Sequence, residues 1–291
     1  MESEEQHAPD VQTDQTSAPR VTPDRSGPVQ IEIISIGREL VRGRVADANA
    51  RKIAAHFNAS GGRITRITVV DDDLEAISRV LLETLERNPH LVVTSGGLGP
   101  APDDLTLAAL SATLKLPLTL NPMAKTMVEE AYQHLARTRV IASGGMNQAR
   151  EKMCRLPVGG TPIANRFGLA PGVVCRLAAG AMVLCLPGKP NEMKAVLEES
   201  VPLLKDISPR EHISHHEIES PTPDESSLKQ ILEKLHNEFP SVWITSHPSR
   251  SRKKGARVMI SFESTASSQK EAESAANHAI RKLLALAGGS S

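Results

Sequence analysis

One stretch decides the fold, and it reads LVVTSGGLGPAPDDLT from Leu91 to Thr106. An apolar, β-branched run ends in Gly96, Gly97 and Gly99, and two prolines and two aspartates precede a helical pattern from Leu105 to Lys115. Apolar β-branched runs are typical of buried strands, whereas glycine and proline interrupt regular structure. The stretch therefore predicts a strand, a loop and a helix.

The three glycines suit this loop to an anionic ligand. Glycine has no Cβ, so backbone N–H groups approach a ligand closely, and the N-terminus of the following helix carries partial positive charge. We therefore expect a phosphate or diphosphate at Gly96, Gly97 and Gly99. Asp103 and Asp104 follow the loop and would lie beside the anion. Carboxylates in such a position bind hydrogen-bond donors of a ribose or a pterin, or hold a divalent cation that bridges phosphate oxygens. In the alternative interpretation, Asp103 caps the helix and the glycines only form a turn.

Strands and helices alternate before this loop. Val29–Ile36 and Ile64–Val70 are predicted strands, and each precedes a helix with one apolar face. This alternation indicates a mostly parallel sheet with helices on both faces. Such sheets bind ligands at the carboxyl ends of their strands, and Gly37 and Gly96 both follow a strand directly.

Acidic residues that precede the helices have two interpretations. Asp47 is either the N-cap of a helix that ends at Gly61-Gly62 or a carboxylate of the site. Asp71, Asp72 and Asp73 are predicted to cap the next helix, because acids complement its positive end. A metal triad there is disfavoured, since consecutive side chains point in different directions.

The second half of this region repeats the strand, turn and helix pattern. A helix is predicted from Asn121 to about Arg139, with Tyr132 as a packing residue, and a hairpin from Val173–Arg176 and Met182–Leu186. A Pro-Gly turn and a helix to about Lys205 follow. Between these elements, Arg150 and Lys152 either contact the phosphates of the ligand or lie on a solvated helix face.

The pattern changes after Pro209. Strands are predicted from Ile213 to Glu219, Val242 to Ser246 and Ala256 to Phe262, and helices from Asp224 to Glu238 and Ser268 to Leu286. The order β-α-β-β-α predicts a small α+β domain. Three histidines lie near the first of these strands: His212, His215 and His216. No metal site is expected there, because strand alternation puts His215 and His216 on opposite faces. The basic residues of the predicted hairpin are expected to be solvated; they are Arg250, Arg252, Lys253 and Lys254.

Composition restricts the class of partner. The formal net charge is zero, so no basic surface attracts nucleic acid, and aromatic residues make up only 2% of the chain. We therefore expect no nucleic-acid partner, and we expect backbone, proline and aliphatic surfaces to hold any flat ligand. Three cysteines without metal spacing predict buried thiols in a reducing compartment. The sequence shows no membrane span or signal peptide, so we expect a cytoplasmic protein that binds no membrane. We also expect a homo-oligomer. Residues 1–28 are polar and predict a disordered tail.

Four separated motifs carry a family resemblance. The glycine loop with Asp103-Asp104-Leu105-Thr106 resembles the signature of the molybdopterin-binding fold family (MoaB and Mog proteins), and within it the N-terminal domain of the CinA proteins. The other three motifs are Ile36–Leu40 with Gly43–Ala50, Asn165–Gly172, and Leu186–Met193. The resemblance implies a three-layer α/β domain with a mostly parallel sheet over residues 29–208 and a small α+β domain over residues 209–291.

The resemblance also implies site residues. It favours Asp47, Asp104 and Glu192 as catalytic residues, although Glu192 in a first turn also has a capping interpretation. Asp103 and Asp104 would hold a divalent cation such as Mg²⁺. The ligand-binding residues would be Gly37, Glu39, Gly96, Gly97, Gly99, Thr106, Asn165, Gly168 and Gly188. The sequence departs from the family pattern at Arg38, Ala101 and Lys189, which puts affinity or substrate in doubt.

Two functional classes follow from the resemblance. The first is an enzyme, because CinA N-terminal domains are associated with metal-dependent hydrolysis of the ADP-ribose diphosphate. The second is a binding module for a molybdopterin or nucleotide, or a protein of molybdenum-cofactor biosynthesis that acts by adenylyl transfer. The sequence has no counterpart of the nicotinamide-nucleotide amidase domain of full-length CinA, so we expect no deamidation.

Overall fold

A computed structural model describes residues 29–178, 180–207, 212–222, 224–251 and 255–288. The predicted tail, residues 1–28, lies outside the described residues. So do the predicted domain boundary at residues 208–209 and the basic residues Arg252, Lys253 and Lys254. Those three interpretations stay predictions.

The first part of the chain alternates strands and helices, as the sequence predicts. Its elements are β1 (Gln30–Ile36), α1 (Arg38–Val41), α2 (Ala48–Ala59), β2 (Arg63–Val70), α3 (Leu74–Glu86), β3 (Leu91–Ser95), α4 (Thr106–Leu114), β4 (Leu118–Leu120), α5 (Pro122–Arg137), α6 (Gln148–Lys152), β5 (Arg155–Pro157), β6 (Thr161–Ile163), β7 (Gly172–Arg176), β8 (Met182–Leu186) and α7 (Pro190–Ser200). A 3-10 turn, Val201–Ile207, follows α7. The helix predicted to reach Lys205 therefore ends at Ser200.

Six of these strands form one sheet in the order β2-β1-β3-β8-β7-β6. The strands β2, β1, β3 and β8 are parallel, whereas β7 is antiparallel to β8 and β6 is antiparallel to β7. The mostly parallel sheet and the β7–β8 hairpin confirm the prediction. The sequence did not predict the three-residue strands β4, β5 and β6, because three residues are too few to show the alternation of a strand.

The two faces of the sheet build two cores. Successive residues of β1 point to opposite faces, so Ile33 packs with Ile53 of α2, and Ile34 packs with Ile77 of α3. The first core also receives α7, and the second also receives α4 and α5. This arrangement is the predicted three-layer fold.

The parallel strands bring their carboxyl ends to one edge of the sheet. The N–H of Gly37, after β1, donates to Val70 O at the end of β2 over 3.0 Å. The N–H of Gly96, after β3, donates to Leu186 O at the end of β8 over 2.9 Å. The loops that carry the sequence motifs therefore start from one edge.

The second part of the chain forms a separate antiparallel sheet. Its elements are β9 (His212–Glu219), a 3-10 turn (Glu225–Leu228), α8 (Lys229–Glu238), β10 (Val242–Ser251), β11 (Gly255–Ala266) and α9 (Gln269–Gly288). The strand order is β10-β11-β9, and Ile260 and Phe262 of β11 pack with Leu235 of α8 and Leu283 of α9. The predicted order β-α-β-β-α is confirmed, and both hairpin strands are longer than predicted.

No helix among the described residues is long and apolar enough to cross a membrane. All three cysteines are buried and free, which confirms the prediction of buried thiols. Burial raises the pKa of Cys154 and Cys175 to about 11 and that of Cys185 to about 12, so these thiols stay protonated and unreactive near neutral pH.

Candidate functional site

A cavity of about 1030 Å³ lies among the loops at the carboxyl edge of the six-stranded sheet. It is lined by the loops that follow β1, β3 and β8, by the 164–170 loop and by one face of α5. Eight of the predicted site residues line it, namely Glu39, Gly97, Gly99, Asp104, Asn165, Gly168, Gly188 and Glu192. The other five, Gly37, Gly96, Thr106, Asp47 and Asp103, do not contribute to its wall.

The glycine loop is held by its own contacts. Gly96 and Gly97 have φ of 111° and 66°, and an added Cβ would lie 2.2 Å from Ile36 O or 2.3 Å from Thr106 Oγ1. The buried Thr106 hydroxyl donates to Gly96 O over 2.7 Å, and its N–H donates to Gly97 O over 3.1 Å. Gly96 and Thr106 therefore fix the shape of the loop, while Gly97 and Gly99 form the cavity wall.

The two aspartates after the loop have different positions. Asp104 lines the cavity, and its Oδ2 accepts a hydrogen bond from Ala101 N over 2.8 Å. Asp103 is exposed and lies outside the cavity wall. The interpretation of Asp103 as a helix cap is wrong, because the N-cap of α4 is Leu105 and no side chain caps that helix. The positive end of α4 thus has no side-chain acceptor of its own.

Lys152 supplies a cation next to the glycine loop. Its Nζ donates a hydrogen bond to Ala101 O. Burial lowers the pKa of Lys152, and the charges of Asp104 and Asp103 oppose that shift. Lys152 therefore contacts the loop that contains Gly96, Gly97 and Gly99, and its role as a phosphate contact stays a prediction.

Arg150 has a structural role instead. Its guanidinium donates to Ser143 O over 3.0 Å and to Gly145 O, and its Cζ lies 3.9 Å from the centre of the Tyr132 ring. These contacts hold the 143–147 loop against α5. Tyr132 itself is buried, as predicted.

Glu192 lies in the cavity wall, on the first turn of α7. It is only 8% exposed, and its Oε2 accepts a hydrogen bond from Asn165 Nδ2 over 2.8 Å. Lys189 Nζ lies 3.3 Å from the other carboxylate oxygen. A Cβ at Gly168 would lie 1.9 Å from Glu192 Oε2, so glycine at 168 makes room for this carboxylate.

Asp47 caps α2 with one carboxylate oxygen, and its other oxygen accepts no hydrogen bond among the described residues. Its Oδ1 accepts a hydrogen bond from Ala50 N over 2.9 Å, whereas the buried Oδ2 has no partner among the described residues. Two residues later, Asn49 Nδ2 donates to Ser95 Oγ over 3.0 Å and to Gly188 O over 2.7 Å. The capping interpretation of Asp47 is confirmed, and its role as a site carboxylate stays a prediction.

Of the three consecutive acids, only Asp73 caps α3, by accepting from Ala76 N over 2.9 Å. The capping prediction is wrong for the other two, which bind Arg38 in the β1 loop. Asp71 Oδ1 pairs with Arg38 Nε over 2.8 Å, and Asp72 Oδ2 accepts from Arg38 N over 2.7 Å. Arg38, a departure from the family pattern, thus joins the β1 loop to the β2 loop.

Acids outnumber bases in the cavity wall. The charged lining residues are Glu39, Asp104, Glu130, Glu192, Arg166 and Lys189. The described part of the chain contains no group of three or more His, Cys, Asp or Glu side chains placed to hold a metal ion. The wall therefore offers scattered carboxylates rather than a protein cage for a cation.

Sequence reasoning missed Phe167 as a wall residue. It lines the cavity and is 71% exposed, although the low aromatic content predicted that only backbone, proline and aliphatic groups would hold a flat ligand. The available signal was a phenylalanine within a Gly/Pro-rich loop, where no apolar periodicity explains its presence.

The comparison with family models decides the family. Residues 32–206 match a family described as "Probable molybdopterin binding domain", which is more than half of the chain. The chain belongs to this family. The glycine loop, the 164–170 loop and the β8 loop that line the cavity all fall within the matched residues.

Two archaeal proteins and one solved structure are similar to this chain, and the solved structure confirms the resemblance to CinA. A Pyrococcus furiosus protein is 39% identical over 217 residues, which are 75% of this chain and 84% of that protein. A Pyrobaculum calidifontis protein is 34% identical over 257 residues, 87% and 94% of the two chains. The crystal structure of CinA from Thermoplasma acidophilum is 34% identical and covers 61% of this chain and 98% of its own, with a TM-score of 0.54.

Proposed function

We propose that this protein binds a diphosphate-containing nucleotide or a pterin phosphate in the cavity and hydrolyses the diphosphate of ADP-ribose with the help of a divalent cation. One observation carries the proposal: the loops after β1, β3 and β8 line one cavity that contains both Asp104 and Glu192. Three free buried thiols fit a reducing compartment, so we propose that the protein acts in the cytoplasm.

The wall supports phosphate binding through backbone and helix ends. Gly97 and Gly99 present main chain without side chains, and α7 begins in the wall, at Pro190, without a side-chain cap. An uncapped helix N-terminus stabilises negative charge, and Lys152 and Lys189 supply two cations nearby.

A divalent cation fits this wall only together with its ligand. Mg²⁺ commonly uses one or two carboxylates and takes its other ligands from phosphates and water. Of the four carboxylates in the wall, we assign Asp104 and Glu39 to the cation. Asp103, the second metal ligand expected from the sequence, does not contribute to the wall. When bound, such a cation would neutralise charge on the diphosphate and polarise its phosphorus.

Glu192 is the better placed of the two candidate bases. It lies in the cavity wall, whereas Asp47 does not contribute to that wall. In the proposed reaction Glu192 accepts a proton from water while the water oxygen forms a bond to phosphorus. The bridging P–O bond breaks, and the products are AMP and ribose 5-phosphate.

Calorimetric titration and a hydrolysis assay test the proposal on the whole protein. ADP-ribose, AMP and molybdopterin are titrated with and without Mg²⁺, and ADP-ribose turnover is followed as release of AMP. We expect Mg²⁺-dependent binding and turnover by the wild type. If none of the three ligands binds, the cavity is not a binding site for a phosphate-containing ligand and the proposal fails.

Asp104→Asn provides the sharpest variant. The amide oxygen of asparagine still accepts from Ala101 N, so the loop keeps its hydrogen bond while the carboxylate charge is removed. Asp103→Asn is the matched control, because it removes the same charge from an exposed neighbour outside the cavity wall. We expect turnover to fall at least about 100-fold in Asp104→Asn, as is typical when one electrostatic contact to the reacting group is lost, and less than about 3-fold in Asp103→Asn. Equal losses in both variants would contradict a specific role for Asp104.

The second candidate is binding without turnover, or adenylyl transfer in cofactor synthesis. The scattered carboxylates favour it, since no three-ligand metal cage exists among the described residues. Binding of molybdopterin or AMP with no release of AMP from ADP-ribose would select this candidate.

A further inference from the structure

Phe167 is an exposed aromatic residue in the wall of the cavity. Water contacts most of this side chain, because 71% of the residue is exposed. Of the other Phe, Tyr and Trp residues, Phe57, Tyr132 and Phe262 are buried, and Phe239 is partly buried against the core of the three-stranded sheet. Trp243 is exposed, but it belongs to β10 and does not line the cavity. Among the described residues, Phe167 is thus the single Phe, Tyr or Trp in the cavity wall, where the only other ring is the imidazole of His134 on α5.

The loop that carries Phe167 is fixed in place. Asn165 Oδ1 accepts a hydrogen bond from Phe167 N over 3.2 Å. Its Nδ2 donates to Ala170 O over 2.9 Å and to Glu192 Oε2 over 2.8 Å. One asparagine therefore ties the backbone of Phe167 to the carboxylate that we propose as the base.

Apolar side chains also line the cavity beside its charged residues. Met127, Ala131 and Leu135 extend from α5 into the wall, together with Leu169 from the same loop as Phe167. A ligand with one charged and one flat apolar part matches this mixture, whereas inorganic phosphate or a sugar phosphate leaves the apolar wall hydrated.

We propose that Phe167 is a stacking platform for the heteroaromatic ring of the ligand, so that the site selects ring-bearing phosphates over ring-free ones. The shared chemistry is a flat nitrogen heterocycle joined to a phosphate, which describes both adenine nucleotides and pterin phosphates. This inference rests on the proposed phosphate site and adds the residue that recognises the other end of the ligand.

The test compares AMP with ribose 5-phosphate, which lacks the ring. Both are titrated calorimetrically into the whole protein with Mg²⁺, as wild type, Phe167→Ala and Phe167→Leu. Loss of one aromatic–base stack weakens binding about 10-fold to 100-fold. We expect that loss for AMP in Phe167→Ala, an intermediate loss in Phe167→Leu, and less than about a 2-fold change for ribose 5-phosphate in either variant.

Trp243→Ala is the matched control, because it removes an aromatic residue of similar exposure, 68%, outside the cavity. It should bind both ligands as the wild type does. Equal weakening of AMP and ribose 5-phosphate by Phe167→Ala would show a general effect on the loop and overturn the stacking role, as would unchanged AMP affinity.

A spectroscopic measurement separates stacking from loop support. Trp243 is the only tryptophan in the chain, so Phe167→Trp in a Trp243→Phe background reports from position 167 alone. We expect AMP and a pterin phosphate to quench this fluorescence and ribose 5-phosphate to leave it unchanged. If ribose 5-phosphate binds but AMP binds no tighter and quenches nothing, the inference fails and the phosphate site stands. If neither ligand binds, the proposed function fails and the inference fails with it.

Discussion

The six-stranded sheet and the three-stranded sheet use their strand ends differently. In the first, four parallel strands end at one edge, so the loops after β1, β3 and β8 line a common cavity. In the second, antiparallel strands end alternately at opposite edges, and no residue of β9, β10 or β11 lines that cavity. Parallel pairing therefore brings the loops after several strands to one edge, where they form a cavity. The strands of the antiparallel sheet pack against α8 and α9 in one small core.

The largest expected effect is the loss of stability in Gly96→Ala, a substitution in the loop after β3. In Gly96→Ala the new Cβ would lie 2.2 Å from the backbone oxygen Ile36 O at a φ of 111°, so the neighbouring backbone must move. We expect a loss of about 3 kcal/mol or more in the free energy of unfolding, measured by urea denaturation. Gly43→Ala also has a positive φ, 65°, but this value lies in the left-handed helical region and no atom lies within 4 Å of the new Cβ, so the variant should lose only about 1 kcal/mol. Equal losses would mean that strain, not the close approach of β1 and β3, requires glycine at 96.

Each sheet carries a Glu–Arg ion pair, and the two pairs differ in how deeply the carboxylate is buried. Glu32 on β1 pairs with Arg87 over 2.6 Å and its side chain is 5% exposed, whereas Glu219 on β9 pairs with Arg257 and is 49% exposed. Arg87→Met should reduce the free energy of unfolding by about 3 kcal/mol, because it leaves a buried carboxylate without its partner. Arg257→Met should lose at most about 1 kcal/mol. Chemical denaturation of both variants checks the contrast, and a larger loss in Arg257→Met would reverse it.

Much of this architecture was predictable from local patterns. The alternation of apolar runs and amphipathic helices gave β1, β2, β3 and β8 in the right order, and the glycines after strands marked the edge that carries the cavity. The role of Thr106 in shaping the loop, the binding of Arg38 by Asp71 and Asp72, and the position of Phe167 were not predictable. The pairing of Arg38 with Asp71 and Asp72 joins segments more than 30 residues apart, and the other two features depend on the irregular shape of loops; periodicity reports neither.

The smallest expected effect concerns pH and the loops at the edge of the parallel sheet. The hydrogen bond from Arg38 lowers the pKa of Asp71 below its ordinary value of 3.8. A carboxyl with a lowered pKa stabilises the folded state above its unfolded pKa, and this contribution disappears as the pH falls through the folded pKa. Arg38→Gln should therefore lower the melting temperature slightly at pH 7, and its difference from the wild type should shrink as the pH falls below 3.8.

The control for this pH effect is Arg79→Gln, which removes an exposed pair with Glu75 within α3 and joins no loops. It should leave the melting temperature unchanged across the same pH range. A difference between Arg38→Gln and the wild type that grows towards acid pH would show that Asp71 does not carry the effect.

Hydrogen exchange with bound ligand tests the central claim most directly, because one experiment reads both sheets. The whole protein is compared with and without AMP and Mg²⁺, at concentrations that calorimetry shows to be saturating, because AMP is a product of the proposed reaction and is not turned over. We predict slower exchange in three segments that surround the cavity, residues 96–106, 165–170 and 187–192, and unchanged exchange in β9, β10 and β11. Slower exchange confined to the three-stranded sheet, or none in the three loop segments, would contradict the assignment of the ligand site to the carboxyl edge of the parallel sheet.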